Sequence, residues 1–84
     1  MKIVFAPEAW EDYLHWQGTD RRVVRRIHEL IKDTIRDPFV GIGKPEPLRY
    51  HLSGYWFRRI TEVHRMVYRI GDGQLLIAQL RYHY

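Results

Sequence analysis

The sequence predicts an α+β fold: an N-terminal strand, two helices, then a three- to four-stranded antiparallel sheet. Two observations predict it. Apolar residues recur at three- and four-residue spacing only between residues 7 and 37, and β-type alternation takes over only after residue 48. A chain of 84 residues is the right size for one core, so residues 1–84 are read as a single domain.

Lys2-Ile3-Val4-Phe5 is a short β-type run closed by Pro7. Pro7 suits the first turn of a helix, where a missing N–H costs nothing, and Glu8, Glu11 and Asp12 lie near the positive end of that helix. Trp10, Tyr13, Leu14 and Gln17 form its amphipathic stripe, and Gly18 ends it. Thr19 or Asp20 caps a second helix. Val23, Val24, Ile27, Leu30, Ile31 and Ile35 share its apolar face, and Asp37-Pro38 stops it. Residues 39–47 hold Gly41, Gly43, Pro45 and Pro47 and read as an irregular loop.

Residues 55–60, 63–70 and 74–82 are the β-type runs, separated by turn signals at Thr61-Glu62 and Gly71-Asp72-Gly73; Ser53-Gly54 marks a turn before them. Such a sheet packs one face on the helices and leaves the other open. Alternation sets Met66, Tyr68 and Ile70 against Arg65, Val67 and Arg69, and sets Leu76, Ala78, Leu80 and Tyr82 against Ile77, Gln79, Arg81 and His83. The polar sets belong on the open face, bringing Arg65 and Arg69 toward the Arg81/His83 row. Trp10, Trp16 and Trp56 are expected in the core.

The net charge is +4, and its distribution is uneven. Residues 1–43 carry seven Lys/Arg and seven Asp/Glu, whereas residues 44–84 carry seven Lys/Arg against Glu46, Glu62 and Asp72. Only Lys2, Lys32 and Lys44 are lysines; the other cations are arginines, whose planar fork suits phosphate. A basic half with interleaved Tyr, Trp and His fits nucleic acid, or simply a solvated basic face. The chain has no Cys, no apolar run long enough to span a membrane and no signal-peptide core, so a cytoplasmic location with no membrane partner is expected.

RNA is cut by its own 2′-hydroxyl once a base takes that proton, an acid protonates the leaving 5′-oxygen and a cation steadies the phosphoryl oxygens. The sequence offers each group. An apolar run, Leu75-Leu76-Ile77-Ala78, leads into Arg81-Tyr82-His83-Tyr84, so His83 is expected at the end of a packed strand. An imidazole there exchanges protons near neutrality; the alternative is an exposed terminal histidine. Glu46 is framed by Pro45 and Pro47, which suits a positioned base or merely shapes a loop. Arg65 is the candidate phosphate clamp, with Arg59, Arg58 and Arg81 in support or in cross-strand ion pairs. Tyr84 offers a ring face to a base. Metal and nucleophile chemistry find no inventory: the five histidines are scattered, Ser53 is the one serine, and Gly41-Ile42-Gly43-Lys44 lacks P-loop spacing. Neither metal nor other cofactor is expected.

Taken together, Trp10-Glu11-Asp12-Tyr13, Lys44-Pro45-Glu46-Pro47-Leu48, Leu52-Ser53-Gly54, Arg58-Arg59-Ile60-Thr61-Glu62, His64-Arg65-Met66-Val67-Tyr68 and Arg81-Tyr82-His83-Tyr84 resemble the YoeB-type toxins of the RelE/ParE superfamily. The resemblance covers nearly the whole chain. It implies a microbial-ribonuclease-like fold and an mRNA endonuclease acting in the A site of the 70S ribosome. It implies Glu46 as base, His83 as acid, Arg65 as phosphate stabiliser and Tyr84 as an orienting group. Arg59, Lys44, Arg49 and Arg81 would be RNA-binding cations. The products would be a 2′,3′-cyclic phosphate or a 3′-phosphate. The implied partner is a YefM/Phd-type antitoxin, and a homodimer is compatible. Arg49 replaces a commoner lysine, and Phe57 stands where a smaller polar residue can occur. A ParE-like gyrase inhibitor and a non-catalytic RNA- or ribosome-binding module remain alternatives on the same fold.

Overall fold

The computed structural model describes residues 1–82. In chain order it contains β1 (Lys2–Phe5), α1 (Pro7–Thr19), α2 (Arg21–Arg36), β2 (Glu46–Pro47), a 3₁₀ turn (Tyr50–Leu52), β3 (Trp56–Arg59), β4 (Arg65–Gly71) and β5 (Gln74–Gln79). The strands form one sheet in the order β1-β5-β4-β3-β2. The expected fold class holds, with five strands instead of three to four. One added member is β1, parallel to β5 with Lys2 opposite Gln74. The other is β2, antiparallel to β3, which turns the last two residues of the expected irregular loop into an edge strand. Proline is tolerated at an edge because its missing N–H need not face a neighbour. Leu48 N resumes the pairing with Tyr55 O at 2.8 Å.

The helices cover one face of the sheet. Ala9 and Trp16 from α1, Val23, Ile27, Leu30 and Ile31 from α2, and Met66, Tyr68, Leu75, Ile77 and Leu80 from the strand region form the core. Asp20 caps α2 by accepting from Arg22 N at 3.0 Å. Ile35, expected inward, is partly exposed; Thr34 is buried in its stead and returns its hydroxyl to Leu30 O at 2.6 Å. The stripe expected on α1 is also displaced. Trp10 is 47% exposed, because it stacks on Tyr13 (5.6 Å) and meets Phe5 edge-on (5.7 Å) at the sheet margin. Trp16 is the inward tryptophan, and Trp56 packs at the core's edge. No helix among the described residues is long and apolar enough to cross a membrane.

The face expected for β5 needs one correction. Tyr68 pairs with Ile77, but Val67 pairs with Gln79, so Ala78 is an extra residue in the ladder. This bulge switches the alternation: Leu75, Ile77 and Leu80 face the helices, while Ala78 joins Leu48, Phe57 and Val67 in a small cluster on the opposite face. The strand also stops at Gln79, short of the expected residue 82. The hairpin before it is as read: Asp72 (φ 53°) and Gly73 (φ 70°) supply the two left-handed central residues of a tight turn.

Arg58 corrects the sequence reading most sharply. It points into the helix-side interior and is fully buried, so it is neither a phosphate clamp nor a surface ion pair. Its Nη1 donates to Asp33 Oδ2 (2.6 Å) and Ile42 O (3.1 Å), its Nη2 to Asp37 O (2.6 Å) and its Nε to Tyr68 Oη (3.3 Å). Tyr68 Oη in turn donates to Pro38 O at 2.6 Å. One guanidinium thus ties the end of α2 and the following loop to the sheet. Burial pushes the Tyr68 phenol up, partly offset by its bond to Arg58.

Arg58→Leu takes one of three donors from Asp33 and leaves the Asp37 and Ile42 carbonyls without their buried Arg58 donor, so we expect a loss of about 3 kcal/mol in urea unfolding. Donors from Arg36 first, then Arg58 and the Ile42 amide, hold the Asp33 carboxyl far below the usual carboxylate range. A depressed native pKa contributes stability above the unfolded-state value, near 3.8, and loses it as pH falls further. Unfolding measured from neutral pH to below about pH 3 should therefore show wild type and Asp33→Asn converging in acid. A gap that stays constant with pH would contradict this assignment.

Candidate active site

The sheet face away from the helices gathers the groups suited to phosphodiester chemistry. Alternation presents Glu46 from β2, Phe57 and Arg59 from β3, and Arg65 and Val67 from β4; Glu46 lies opposite Phe57, and Arg59 opposite Arg65. Opposed like charges are unfavourable by themselves. Each cation is therefore held by its own acceptors. Arg59 Nη2 pairs with Glu46 Oε2 at 2.8 Å and its Nη1 donates to Lys44 O at 3.1 Å. Arg65, only 9% exposed, uses Nη1 on the carbonyls of Thr61 (2.7 Å), Glu62 (3.1 Å) and His64 (3.1 Å). Both guanidinium carbons lie by the Phe57 ring, 5.4 Å for Arg59 and 6.0 Å for Arg65. Phe57, noted in the sequence only as an unusual residue, is the platform that keeps two cations side by side.

Glu46 is fixed from the loop before it. Gly43 O accepts from Arg59 N at 2.8 Å, so Arg59 binds residues 43, 44 and 46 in turn. Its own carbonyl receives Arg26 Nη2 at 3.2 Å. Gly43 has φ 78°, and a Cβ there would come within 2.8 Å of Leu30 Cδ2 and 3.1 Å of Arg58 Cβ. Glycine alone meets both demands. Glu46 Oε2 faces Arg59, and the side chain is half exposed. Beside it opens a groove of about 640 Å³, whose lining includes Leu48, Arg49, Phe57 and Arg59. Arg49, at the rim, and Lys44, in the loop before Glu46, are exposed and form no ion pair among the described residues.

The segment after β5 is clamped peptide by peptide. Leu80 N donates to Asp12 Oδ2 (3.0 Å), and Leu80 O accepts from Trp16 Nε1 (2.9 Å). Arg81 O accepts from Gln79 Nε2 at 2.7 Å. Tyr82 N donates to His64 Nδ1 (2.7 Å), and Tyr82 O accepts from Arg65 N (3.0 Å). Tyr82 is 56% exposed with φ 63°, not continuing the apolar face as expected. Arg81 is half-buried against the Tyr82 ring (4.7 Å), and its Nε is buried without a hydrogen-bond partner among the described residues. His83 and Tyr84, expected as catalytic groups, lie outside the described residues. The last described carbonyl is held on the amide of Arg65 itself. Sequence reading missed Asp12, Trp16 and His64 as holders of this segment. Asp12, a carboxylate on a helix that packs against the sheet, was the one visible signal.

Residues 5–84 match the family described as the YoeB-like toxin of bacterial type II toxin–antitoxin systems. The chain belongs to this family. It is 62% identical over 84 residues to toxin YoeB of Escherichia coli K12, covering 100% of both chains. It is similar to a solved YoeB/ParE toxin from Agrobacterium tumefaciens (51% identity, 100% of both chains, TM-score 0.96). It is also similar to YoeB from Staphylococcus aureus, solved as a dimer (45% identity, TM-score 0.94) and as a heterotetrameric YoeB–YefM complex (45% identity, TM-score 0.92), each covering 100% of this chain and 98% of the other. This YoeB-family chain thus shares its relatives' full length and backbone.

The glycine requirement gives a test of how the loop holds Glu46. Gly43→Ala is expected to cost about 2 kcal/mol, roughly 10 °C in Tm by calorimetry. An unchanged Tm would show that residue 43 is free of the left-handed constraint.

Proposed function

We propose that this YoeB-family toxin is an endoribonuclease that cleaves mRNA in the ribosomal A site by acid–base catalysis without a metal ion. The observation that carries the reading is the convergence of Glu46, Arg59 and Arg65 on one open face, with the peptide preceding His83 bonded to Arg65. Glu46 takes the proton of the 2′-hydroxyl through an oxygen not committed to Arg59. The 2′-oxygen then bonds to phosphorus as the P–O5′ bond breaks, and His83 gives its proton to the departing 5′-oxygen. Arg65 has Nε and Nη2 free of hydrogen bonds among the described residues, so they can receive the phosphoryl oxygens where negative charge grows. Tyr84 orients the substrate, and Lys44, Arg49 and Arg81 hold flanking phosphates.

Ribosome dependence is supported by the openness of the site. A half-exposed carboxylate on a shallow groove does little to force RNA into an in-line geometry, so the decoding centre is assigned that task. A YefM-type antitoxin is the proposed neutralising partner, its acidic side chains competing for the Arg59–Arg65 patch. The likeness to the S. aureus complex supports this partner, and the likeness to the S. aureus dimer supports self-association.

On ribosomes programmed with an A-site codon, Glu46→Ala and His83→Ala should each lose at least about 100-fold in cleavage rate with an unchanged melting transition. Cleavage should survive chelation that leaves ribosomal magnesium in place. Full cleavage by both variants would overturn the acid–base assignment. A translational block that persists in uncleaving variants would identify a binding module instead.

A further inference from the structure

The groove beside Glu46 contains a side chain that the catalytic reading does not use. Tyr50 lines it and is 88% exposed, the most exposed of the large hydrophobic residues described. Its backbone is left-handed (φ 60°), a conformation that costs a non-glycine residue free energy. The main chain keeps it there: Leu52 N donates to Arg49 O (3.2 Å) and Ser53 N to Tyr50 O (3.0 Å). At 88% exposure the Tyr50 ring is in no aromatic or cation–π pair and its hydroxyl in no hydrogen bond among the described residues, so burial does not account for an aromatic ring here. Around it the groove has an apolar floor, Leu48, Leu52 and Phe57, and a cationic rim, Arg49 and Arg59. A flat apolar ring with an anionic phosphate beside it fits that lining: a nucleotide of single-stranded RNA.

We propose that Tyr50 is the stacking platform of a nucleobase subsite. Resting on the assignment of Glu46 as the base, the subsite takes the nucleotide on the 5′ side of the cut. Glu46 must reach the 2′-hydroxyl of that nucleotide, and the groove starts at Glu46. The leaving 5′-oxygen belongs to the next nucleotide, toward Arg65 and the segment ending at Tyr82. Tyr50 therefore reads the base upstream of the scissile phosphate and contributes to codon preference there.

The probe is an RNA trinucleotide with a 2′-deoxy attacking position, which cannot be cut, carrying 2-aminopurine either upstream or downstream of the scissile phosphate. Binding to the full chain should quench the upstream fluorophore. Tyr50→Ala should abolish the quench and weaken binding about tenfold, the size of one base–aromatic stack, while Tyr50→Phe retains both. On programmed ribosomes Tyr50→Ala should raise KM about tenfold, leave kcat within about twofold, and flatten the dependence on the upstream base. Tyr50→Gly, which also relieves the left-handed strain, should behave like Tyr50→Ala and fold at least as stably. Quenching of the downstream fluorophore overturns the proposal, as does a Tyr50→Ala variant with unchanged binding and KM. So does weakened antitoxin affinity with no change in KM, which would make the groove an antitoxin pocket. Loss of the Glu46 role is seen separately, as full cleavage by Glu46→Ala, while the quench still reports which base occupies the groove.

Discussion

A single buried cation organises this molecule. Arg58 donates to a carboxylate on α2, to carbonyls of residues 37 and 42, and to the hydroxyl of Tyr68 on the neighbouring strand. Burying a guanidinium is expensive unless its donors are matched, and here they are. The return is geometric, because residues 37–43 form no regular ladder of their own and would otherwise have no fixed path. That path ends at Gly43, whose carbonyl meets Arg59 N, and three residues later comes Glu46. The placement of Glu46 thus follows from a network on the other side of the sheet.

Strand alternation turns two adjacent arginines into two different devices. Arg58 faces the helices and is structural; Arg59 faces outward and holds Glu46. The same alternation puts Arg65 beside Arg59, with Phe57 under both. The result is a concentrated positive patch whose cations are already fixed by protein acceptors. Such preorganisation suits a phosphate whose charge grows during reaction, because little reorganisation is then needed. The segment after β5 is fixed in the same spirit. Asp12 and Trp16 grip the peptide of Leu80, and His64 and Arg65 grip that of Tyr82.

Much of this was legible in the sequence. The two helices, the Asp-Gly hairpin turn and the outward set Arg65, Val67 and Arg69 follow from local periodicity and turn chemistry. Glu46 stood out because two prolines frame it, and Arg59 and Arg65 because they lie on strands of a basic half. What stayed hidden depended on pairing between distant segments. The bulge at Ala78 leaves no mark in a run of apolar residues, yet it reverses the alternation beyond it. Lys2–Phe5 carries no sign that it pairs parallel with Gln74–Ile77. Arg58 looked like its neighbour Arg59, and only Asp33, 25 positions earlier, distinguishes them. Trp10 and Trp16 share a residue type and a helix, and only the helix's rotation against the sheet separates the exposed ring from the buried one.

In the proposed reaction the 2′-hydroxyl of the substrate is the nucleophile, with Glu46 and His83 moving protons and Arg65 steadying the phosphoryl group. The most direct measurement is the identity of the new ends on an A-site mRNA, read by mass spectrometry at early times. Attack by the 2′-hydroxyl leaves a 2′,3′-cyclic phosphate, opening to a 3′-phosphate, on the upstream fragment and a 5′-hydroxyl on the downstream one. A 3′-hydroxyl facing a 5′-phosphate would contradict it, because that outcome requires water or a metal-bound hydroxide as the nucleophile.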